Sequence, residues 1–293
     1  MVENLLPFKT HTTPDGKSVG VLTLEQPNRP VVVIDESLIA QLDATLDTLP
    51  GSLDGFVLAS SAERAFVAGA DLKAIMSMED DALRAYLENG ARVFQRIADL
   101  PCPTAAAIHA VALGGGLELA MHCDALVGLV DAETKPFAIG LPEAGLKICP
   151  GWGGTTLLPA RIDPVRAIVA TATGVPMKSD QAHEAGLFDA TATTREGVLK
   201  AAMEWVTTHP APPRNGAPSR CIGPDRADEI QTAFESARSQ VERAEHTDAV
   251  LECVSVGTDQ GWGAATECER DHLVRLRHTE PAREAINAFF DKS

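Results

Sequence analysis

Two glutamates lie in or beside glycine-rich segments of the chain, where they are suited to acid–base chemistry. Glu118 follows the run Gly114-Gly115-Gly116 at a distance of two residues, in the apolar stretch ALGGGLELAMHCD. If a strand ends and a helix begins at these glycines, free backbone N–H groups point outward at the positive end of the helix dipole. Such a helix start binds a phosphate, or an oxyanion that forms during a reaction. Apolar neighbours would partly desolvate the Glu118 carboxylate and raise its pKa toward a catalytically useful range.

Two further segments carry residues that fit the same kind of site. Glu143 stands between Gly- and Pro-marked turns in FAIGLPEAGLKICPGWGGTTLLPARI, where a second glycine pair precedes a helix. In AERAFVAGADLKAI, Gly69 lets the backbone turn, and Ala70 is too small to shield its own N–H. Asp71 is placed to cap a helix. Plainer interpretations stay open: a dipole-stabilised surface acid at Glu118, an ordinary turn at Glu143, and a loop with an N-cap at Asp71.

Alternating strand and helix patterns would position these segments. Apolar alternation in SVGVLTLEQP and short apolar runs in DGFVLASS, PTAAAIHAVAL and DALVGLVD predict strands. Helical spacing predicts helices over 35–49, after the glycines at 114–116, and in MKSDQAHEAGLFDA and REGVLKAAMEWVTTH. This order predicts an α/β fold with parallel βαβ units. HPAPPRNGAPSRCIGPD predicts a linker, followed by helices around Ala227–Glu245 and, beyond a break at GTDQGWG, over REAINAFFDKS.

The composition excludes several classes of protein. The chain has 293 residues, enough for a sizeable core, and a formal net charge of −16. That charge opposes a sequence-independent grip on nucleic acid and docking on anionic membranes. The glycines fit neither GxGxxG nor GxxxxGK[ST], which argues against a nucleotide-binding fold. The weakly polar run 104–121 contains His109 and Glu118, so we expect a buried strand and helix there rather than a membrane span.

The cysteines do not follow the pattern of a metal or disulfide site. They are scattered without a CxxC pair, at Cys102, Cys123, Cys149, Cys221, Cys253 and Cys268. Neither zinc-ligand spacing nor a disulfide framework is predicted, and reduced thiols in a cytoplasmic protein are expected. The N-terminal residues lack a basic segment followed by an apolar core, so no secretory signal is predicted.

The three glycine-containing segments, in this order, resemble the enoyl-CoA hydratase/isomerase (crotonase) superfamily over about residues 18–190. The joint pattern of GGGxELA, a PE-containing loop and P-G-x-G-G is more specific than any one motif. IGLPEAGLKICPGWGG is most similar to the hydratase half of multifunctional fatty-acid oxidation proteins. ECERDHLVRLRHTEPAREAINAFF resembles the helical segment that follows that half. We therefore expect a free-standing version of this module, without an NAD-binding half.

The resemblance implies a crotonase-like ββα spiral core over residues 1–200, which would contain the CoA site and the active site. Residues 201–293 would form a linker and a C-terminal helical region that mediates oligomerisation or folds back on the core. The implied substrate is an acyl-CoA thioester. No separate cofactor and no metal are implied, and a cytoplasmic homo-oligomer, a trimer or a hexamer, is expected.

The resemblance also assigns roles to individual residues. The backbone N–H groups of Ala70 and Gly115 would form an oxyanion hole for the thioester oxygen. Glu118 and Glu143 would hold one water and deliver its OH to C3 and a proton to C2 of a trans-2-enoyl-CoA, giving a 3-hydroxyacyl-CoA. The other residues expected at the substrate or its CoA are Arg64, Ala68, Asp71, Leu72, Lys73, Gly114, Pro142 and Gly151.

Three functions remain open from the sequence. The presence of both glutamates favours an enoyl-CoA hydratase of fatty-acid β-oxidation, because related isomerases can move a double bond with a single acid at the position of Glu143. A Δ3-Δ2-enoyl-CoA isomerase, or another crotonase reaction, is the first alternative. A non-catalytic acyl-CoA-binding subunit is the second. It would be favoured if Glu118 and Glu143 lay far apart or pointed away from the pocket.

Overall fold

Two sheets of mostly parallel strands form the frame of the chain, whose computed structural model describes residues 5–291. In chain order the strands are β1 (Phe8–Thr12), β2 (Ser18–Leu24), β3 (Gly55–Ser60), β4 (Ala65–Val67), β5 (Thr104–Ile108), β6 (Val111–Leu113), β7 (Ala125–Leu129), β8 (Ala138–Gly140), β9 (Met177–Lys178) and β10 (Ala190–Ala192). The larger sheet has the order β1-β2-β3-β5-β7-β10, and the smaller sheet has the order β4-β6-β8-β9. The pairs β1–β2 and β8–β9 are antiparallel, and the other neighbouring strands are parallel.

Helices connect the strands and make up the C-terminal part of the described chain. In chain order they are α1 (Glu36–Leu46), α2 (Leu72–Ser77), α3 (Asp80–Ala98), α4 (Gly115–Met121), α5 (Gly154–Leu157), α6 (Pro164–Thr173), α7 (Ser179–Glu184), α8 (Arg195–Thr208), α9 (Ala227–Arg238), α10 (Glu245–Gln260), α11 (Trp262–Leu276) and α12 (Glu280–Phe290). Short 3-10 turns lie at Glu143–Leu146 and Pro224–Arg226.

Both faces of the central strands of the larger sheet, β2, β3, β5 and β7, are buried, as the continuous apolar runs predict. In β3, Phe56 and Leu58 face the main apolar core, whereas Val57 faces the opposite side. There it packs in a cluster with Val198 and Val206 of α8. Because successive strand residues alternate between faces, one short strand contributes to two cores at once.

Most of the predicted elements are confirmed. The four predicted strand segments and the helices after 35, 114, 178 and 194 are present. The predicted linker over 209–225 has no helix or strand as far as Gly223, and the 3-10 turn Pro224–Arg226 begins within its last two residues. Asp35 caps α1, because its Oδ1 accepts a hydrogen bond from Leu38 N at 2.8 Å. Asp71 caps α2 in the same way, because its side-chain carboxylate accepts hydrogen bonds from backbone N–H groups at the start of the helix. Helix α7 is followed by Gly186, which has a φ of +79°.

The run PTAAAIHAVAL forms two strands and not one. Strand β5 pairs with β3 and β7 in the larger sheet, whereas β6 pairs with β4 and β8 in the smaller sheet. The chain crosses between the sheets at His109, where a ring nitrogen lies 2.7 Å from the Ala62 carbonyl oxygen. Since both strands are apolar, hydrophobic patterning could not locate the crossing.

Other boundaries also differ from the prediction. Helix α9 ends at Arg238, and α10 continues through GTDQ, so the predicted break is confined to Gly261 with its φ of +88°. Strand β1 and the long helix α3 are absent from the predicted elements. Buried residues recur in α3 every three or four positions, at Leu83, Tyr86, Leu87, Gly90, Val93, Phe94 and Ile97.

The C-terminal helices pack against the core of the same chain. Arg277, at the end of α11, is buried and donates hydrogen bonds to the carbonyl oxygens of Ile75 and Met78. It also pairs with Asp80 at the start of α3. These contacts fix α11 next to α2 and α3. Within residues 5–291, no helix is both long and apolar enough to cross a membrane.

Candidate active site

A cavity of about 300 Å³ lies where α2, α4, the 3-10 turn at Glu143–Leu146 and α11 meet. Most of its wall is apolar. Among the described residues that line it, Glu118 and Glu143 are the ionisable ones. Ala70 and Gly115 line the same cavity. The structure therefore brings together the four residues to which the sequence resemblance assigns the chemistry.

Glu118 lies in α4, a short helix in which every residue is buried. Its Oε1 accepts hydrogen bonds from the N–H groups of Trp152 and Gly154, both at 2.8 Å. Burial, followed by the negative charges of Glu269 and Glu143, raises the pKa of Glu118 well above its usual 4.5, and the two N–H donors oppose this rise. The carboxyl group is thus fixed in position, and its neutral form is favoured more than in an exposed glutamate.

Glu143 begins the 3-10 turn and directs its carboxyl group toward Gly114. A Cβ atom on Gly114 would lie 2.3 Å from Glu143 Oε1, and Gly114 has a φ of +52°, so this position requires glycine. Glu143 Oε2 is buried without a hydrogen-bond partner among residues 5–291. Burial and the charge of Glu269 raise the pKa of Glu143 to about 8. An unpartnered buried oxygen is costly, which is typical of a group that binds a reactant.

The N–H groups of Ala70 and Gly115 take part in no hydrogen bond among residues 5–291. Ile34 donates to the Gly69 carbonyl at 2.9 Å and accepts from Asp71 N at 3.0 Å. Because successive N–H groups of an extended chain alternate in direction, the Ala70 N–H points away from Ile34. Gly115 is the first residue of α4, where N–H groups have no acceptor within the helix. Both donors are available for an oxyanion.

Trp152 fixes one wall of the cavity. Its Nε1 donates to the Leu87 carbonyl at 2.9 Å, and its ring packs edge-on against Tyr86 with centroids 5.5 Å apart. A Cβ atom on Gly115 would lie 2.4 Å from this ring, so glycine lets α4 approach it. Since the backbone N–H of Trp152 also holds Glu118, the same residue positions an apolar wall and a carboxyl group.

The other residues expected at the substrate divide into two groups. Five of them line the cavity: Ala68, Leu72, Gly114, Pro142 and Gly151. Three lie outside its lining. Asp71 caps α2 and pairs with Arg29 at 3.4 Å, so its carboxylate is occupied. Lys73 lies over the ring of Phe290, 5.4 Å from its centre, and Arg64 borders a separate surface depression.

A third buried carboxylate, Glu269 of α11, holds the same turn that holds Glu118. Glu269 Oε2 accepts a hydrogen bond from Gly153 N at 2.6 Å. Its Oε1 accepts from Thr155 N at 2.8 Å and from Thr155 Oγ1 at 2.5 Å. The four consecutive N–H groups of residues 152–155 therefore alternate between Glu118 and Glu269. Burial raises the pKa of Glu269 as well.

Glu269 is not among the site residues expected from the sequence. The available signal was its helical spacing, because it lies four residues from both Ala265 and Leu273 on the buried stripe of α11. A carboxylate on such a stripe must find hydrogen-bond partners in the interior. Apart from this spacing, the sequence does not distinguish it from the exposed acids around it.

Comparison with known proteins shows the family of the chain. Residues 15–215 match the model of the enoyl-CoA hydratase/isomerase family. The chain belongs to this family. A fatty acid oxidation complex subunit alpha of Aliivibrio fischeri is 30% identical in an alignment that covers 95% of this chain and 41% of the relative. The chain thus spans about two fifths of the length of this relative.

Solved structures of the family share the fold. The human mitochondrial delta3-delta2-enoyl-CoA isomerase superposes with a TM-score of 0.67 at 17% identity, covering 97% of both chains. An enoyl-CoA hydratase from Mycobacterium avium subsp. paratuberculosis K-10 superposes with a TM-score of 0.64 at 16% identity, covering 99% of this chain and 97% of that one. The expected crotonase-like α/β core with a C-terminal helical region is thereby confirmed.

Proposed function

We propose that this member of the family is an enoyl-CoA hydratase, which adds water across the double bond of a trans-2-enoyl-CoA to give a 3-hydroxyacyl-CoA. The observation that supports the proposal is the position of two carboxyl groups with raised pKa, Glu118 and Glu143, on one apolar cavity beside two free backbone N–H groups. Hydration requires one group that takes a proton from water and another that gives a proton to carbon. Two such carboxyl groups meet this requirement.

The thioester oxygen would lie against the N–H groups of Ala70 and Gly115. When water oxygen bonds to C3, electron density moves through C2 to this oxygen, and an enolate forms. The two N–H groups would stabilise that charge in a cavity whose lining is mostly apolar. One donor of this kind typically contributes about 2.7–4 kcal/mol to the transition state.

In this proposal Glu118 is the base and Glu143 is the acid. The two N–H groups that bind Glu118 favour its anionic form, so it accepts a proton from water as the water oxygen bonds to C3. Glu143, with a pKa of about 8 and an unpartnered Oε2, carries a proton at neutral pH and gives it to C2. Exchange of one proton from Glu118 to Glu143 then restores both groups, and one water has been added.

The rest of the cavity suits an acyl chain. Leu87, Leu146 and Leu273 contribute to its apolar lining. Since the reaction involves no change of oxidation state of a protein group and CoA is part of the substrate, the proposal requires neither a separate cofactor nor a metal at this site.

A Δ3-Δ2-enoyl-CoA isomerase is the second candidate, and the unpartnered Oε2 of Glu143 favours it, because one such oxygen can carry a proton between two carbons. A non-catalytic acyl-CoA-binding subunit is less well supported. That alternative expected Glu118 and Glu143 to lie apart or turn away from the pocket, whereas both line it.

Steady-state turnover distinguishes these functions. Crotonyl-CoA, a longer trans-2-enoyl-CoA and a 3-enoyl-CoA should be offered to the wild type, to Glu118→Gln and to Glu143→Gln. Glu133→Gln is the matched control, because Glu133 is an exposed acid outside the cavity. We expect each cavity variant to lose about 10²–10⁴ in hydration rate, and the control to retain the wild-type rate.

The outcomes separate the candidates clearly. Hydration that survives in either cavity variant contradicts the paired-acid mechanism. Turnover of the 3-enoyl-CoA alone, lost in Glu143→Gln and kept in Glu118→Gln, identifies an isomerase. Binding of acyl-CoA without turnover of any of the three substrates identifies a non-catalytic subunit.

A further inference from the structure

Three groups that bind soft metals meet on the C-terminal helices, away from the cavity. Cys253 lies on α10, and Cys268 and His272 lie on α11. Cys268 and His272 are four residues apart and therefore share one face of their helix. The two thiol sulfurs are 3.1 Å apart, and the two sulfurs and a ring nitrogen of His272 all lie within 4.8 Å of one another.

We propose that Cys253, Cys268 and His272 form a binding site for a thiophilic divalent cation of the zinc class. Zinc takes thiolate and imidazole ligands at about 2.0–2.3 Å in tetrahedral sites. Ligand atoms in such a site are about 3.3–3.8 Å apart, so small side-chain movements bring the three groups to bonding distance. Two thiol protons leave as the two metal–sulfur bonds form, and the imidazole supplies a neutral nitrogen.

The surroundings of these three residues favour a cation. Glu252 Oε2 lies 3.2 Å from His272 Nε2, a carboxylate–imidazole contact of the kind that orients histidine ligands. Alternatively, this carboxylate can itself complete the coordination, as can a water. Glu267 and Asp271 border the same surface depression and add negative charge.

Among the described residues that line that depression, Arg275 is the one Arg or Lys. Arg275 Nη2 lies 3.0 Å from His272 Nδ1, and Arg275 also pairs with Glu245. It can therefore release the imidazole and keep a carboxylate partner. Arg275 would also offset the negative charge that two thiolates and a nearby carboxylate leave on a bound divalent cation.

The three groups differ in their exposure to solvent, and the innermost is Cys253. Cys253 is fully buried, whereas Cys268 is half-buried and the His272 side chain is 14% exposed. A cation can therefore enter from the depression and bind to a fixed inner sulfur. Ligand spacing in the sequence does not indicate this cluster, because Cys253 and Cys268 are 15 residues apart and lie on different helices.

The site would join α11, the helix that carries Glu269, to the neighbouring helix α10. Cys268 directly precedes Glu269 on α11, and Cys253 lies on the neighbouring helix α10. A cation bound between them would crosslink the helices next to the turn at 152–155. We therefore expect binding to raise the melting temperature of the folded chain, and to raise it further with the logarithm of the free cation concentration once that concentration exceeds Kd.

The test uses the full chain, reduced and freed of metals with a chelator, and titrates it with Co²⁺ and then with Zn²⁺. We expect one Co²⁺ per chain, a thiolate-to-cobalt charge-transfer band, displacement by Zn²⁺, and a higher melting temperature with Zn²⁺. Cys268→Ser and His272→Gln should each weaken Zn²⁺ binding at least about tenfold, because even removal of outer partners costs 10- to 100-fold at such sites.

Cys221→Ser is the matched control, since Cys221 is also a free, half-buried cysteine but lies on another segment. It should keep the band, the affinity and the thermal shift. Absence of the charge-transfer band in the reduced wild type overturns the proposal. So does an unchanged Zn²⁺ affinity in either ligand variant. If Cys268→Ser fails to fold, His272→Gln, which keeps both sulfurs, still decides the outcome.

Discussion

Glutamine has nearly the same shape as glutamate, so replacement of Glu269 by glutamine alters mainly the hydrogen bonds to the turn that positions Glu118. The carboxylate of Glu269 accepts three hydrogen bonds from Gly153 and Thr155 and is fully buried. A glutamine has one acceptor oxygen at its end, and its NH2 group would face an N–H donor. At least one of the three donors therefore loses its partner in the interior.

The size of the effect follows from these contacts. A buried donor left unsatisfied costs about 1–3 kcal/mol, and loss of the repulsion between Glu269 and Glu118 offsets part of this cost. We expect a decrease of about 1–3 kcal/mol in the free energy of unfolding, or roughly 2–10 °C in melting temperature. A displacement of Glu118 by about 1 Å would lower kcat by about 10²-fold.

The pH profile provides a readout that a general loss of stability would not change. Glu118 is faced by the acids Glu143 and Glu269 and lies near Tyr86, and Arg270 lies near Glu269. The charge of Glu269 raises the pKa of Glu118, so its removal lowers that pKa. The acidic limb of the kcat profile for crotonyl-CoA should therefore move to lower pH.

Glu267→Gln is the control for this variant, because Glu267 is an exposed acid on the same helix. It should match the wild type in kcat, KM, pH profile and melting temperature. The reasoning is refuted if Glu269→Gln behaves like Glu267→Gln in kcat and in the position of the acidic limb. If Glu269→Gln does not fold, Thr155→Val can replace it, because this variant removes only the hydrogen bond from the Thr155 hydroxyl to Glu269. It should also lower kcat.

Three further predictions concern the acid, a glycine and a buried ion pair. Because the pKa of Glu143 is raised to about 8, ionisation of this group destabilises the native state progressively from about pH 4.5 to pH 8, by at most about 5 kcal/mol. Glu143→Gln should lose this pH dependence of the free energy of unfolding, measured by urea unfolding. Gly114→Ala should lower kcat at least about 100-fold, because the new Cβ would displace Glu143. Gly186 also has a positive φ but has open space around it, so Gly186→Ala should lower only the stability. Equal kcat values in the two variants contradict this prediction. Arg214→Met leaves the buried Asp124 carboxylate without its bidentate partner and should lower the free energy of unfolding by about 3–5 kcal/mol, measured by thermal unfolding. A change below about 1 kcal/mol would show that this ion pair does not stabilise the fold.

Local patterns in the sequence were sufficient to predict the elements that carry the site. The apolar run before Gly114 and the apolar segment after it predicted a buried strand and a buried helix. The helix is present, and the run is buried, although it forms two short strands. Asp35 and Asp71 precede helical patterns, and both cap helices. Such features depend on neighbours within a few residues, so the sequence contains the information directly.

Contacts between distant segments were not predictable in the same way. Glu269 approaches Gly153 across 116 residues, and no periodicity relates the two. The division of the run at His109 depends on which sheet each half joins, and Arg214 lies in a segment whose Pro and Gly content indicated only a linker. In each case a tertiary partner, rather than a local preference, determines the structure.

The alternation of N–H donors at residues 152–155 has a consequence for synthesis on the ribosome. Glu118 precedes the turn by 34 residues and is available as soon as the turn forms, whereas Glu269 follows Gly153 by 116 residues. A nascent chain that has folded its sheets but not yet extruded α11 has half of the amides in this turn unpaired. The turn that holds the Glu118 carboxyl group is therefore completed only after α11 leaves the exit tunnel, and we expect a chain arrested before that point to be folded in part but inactive.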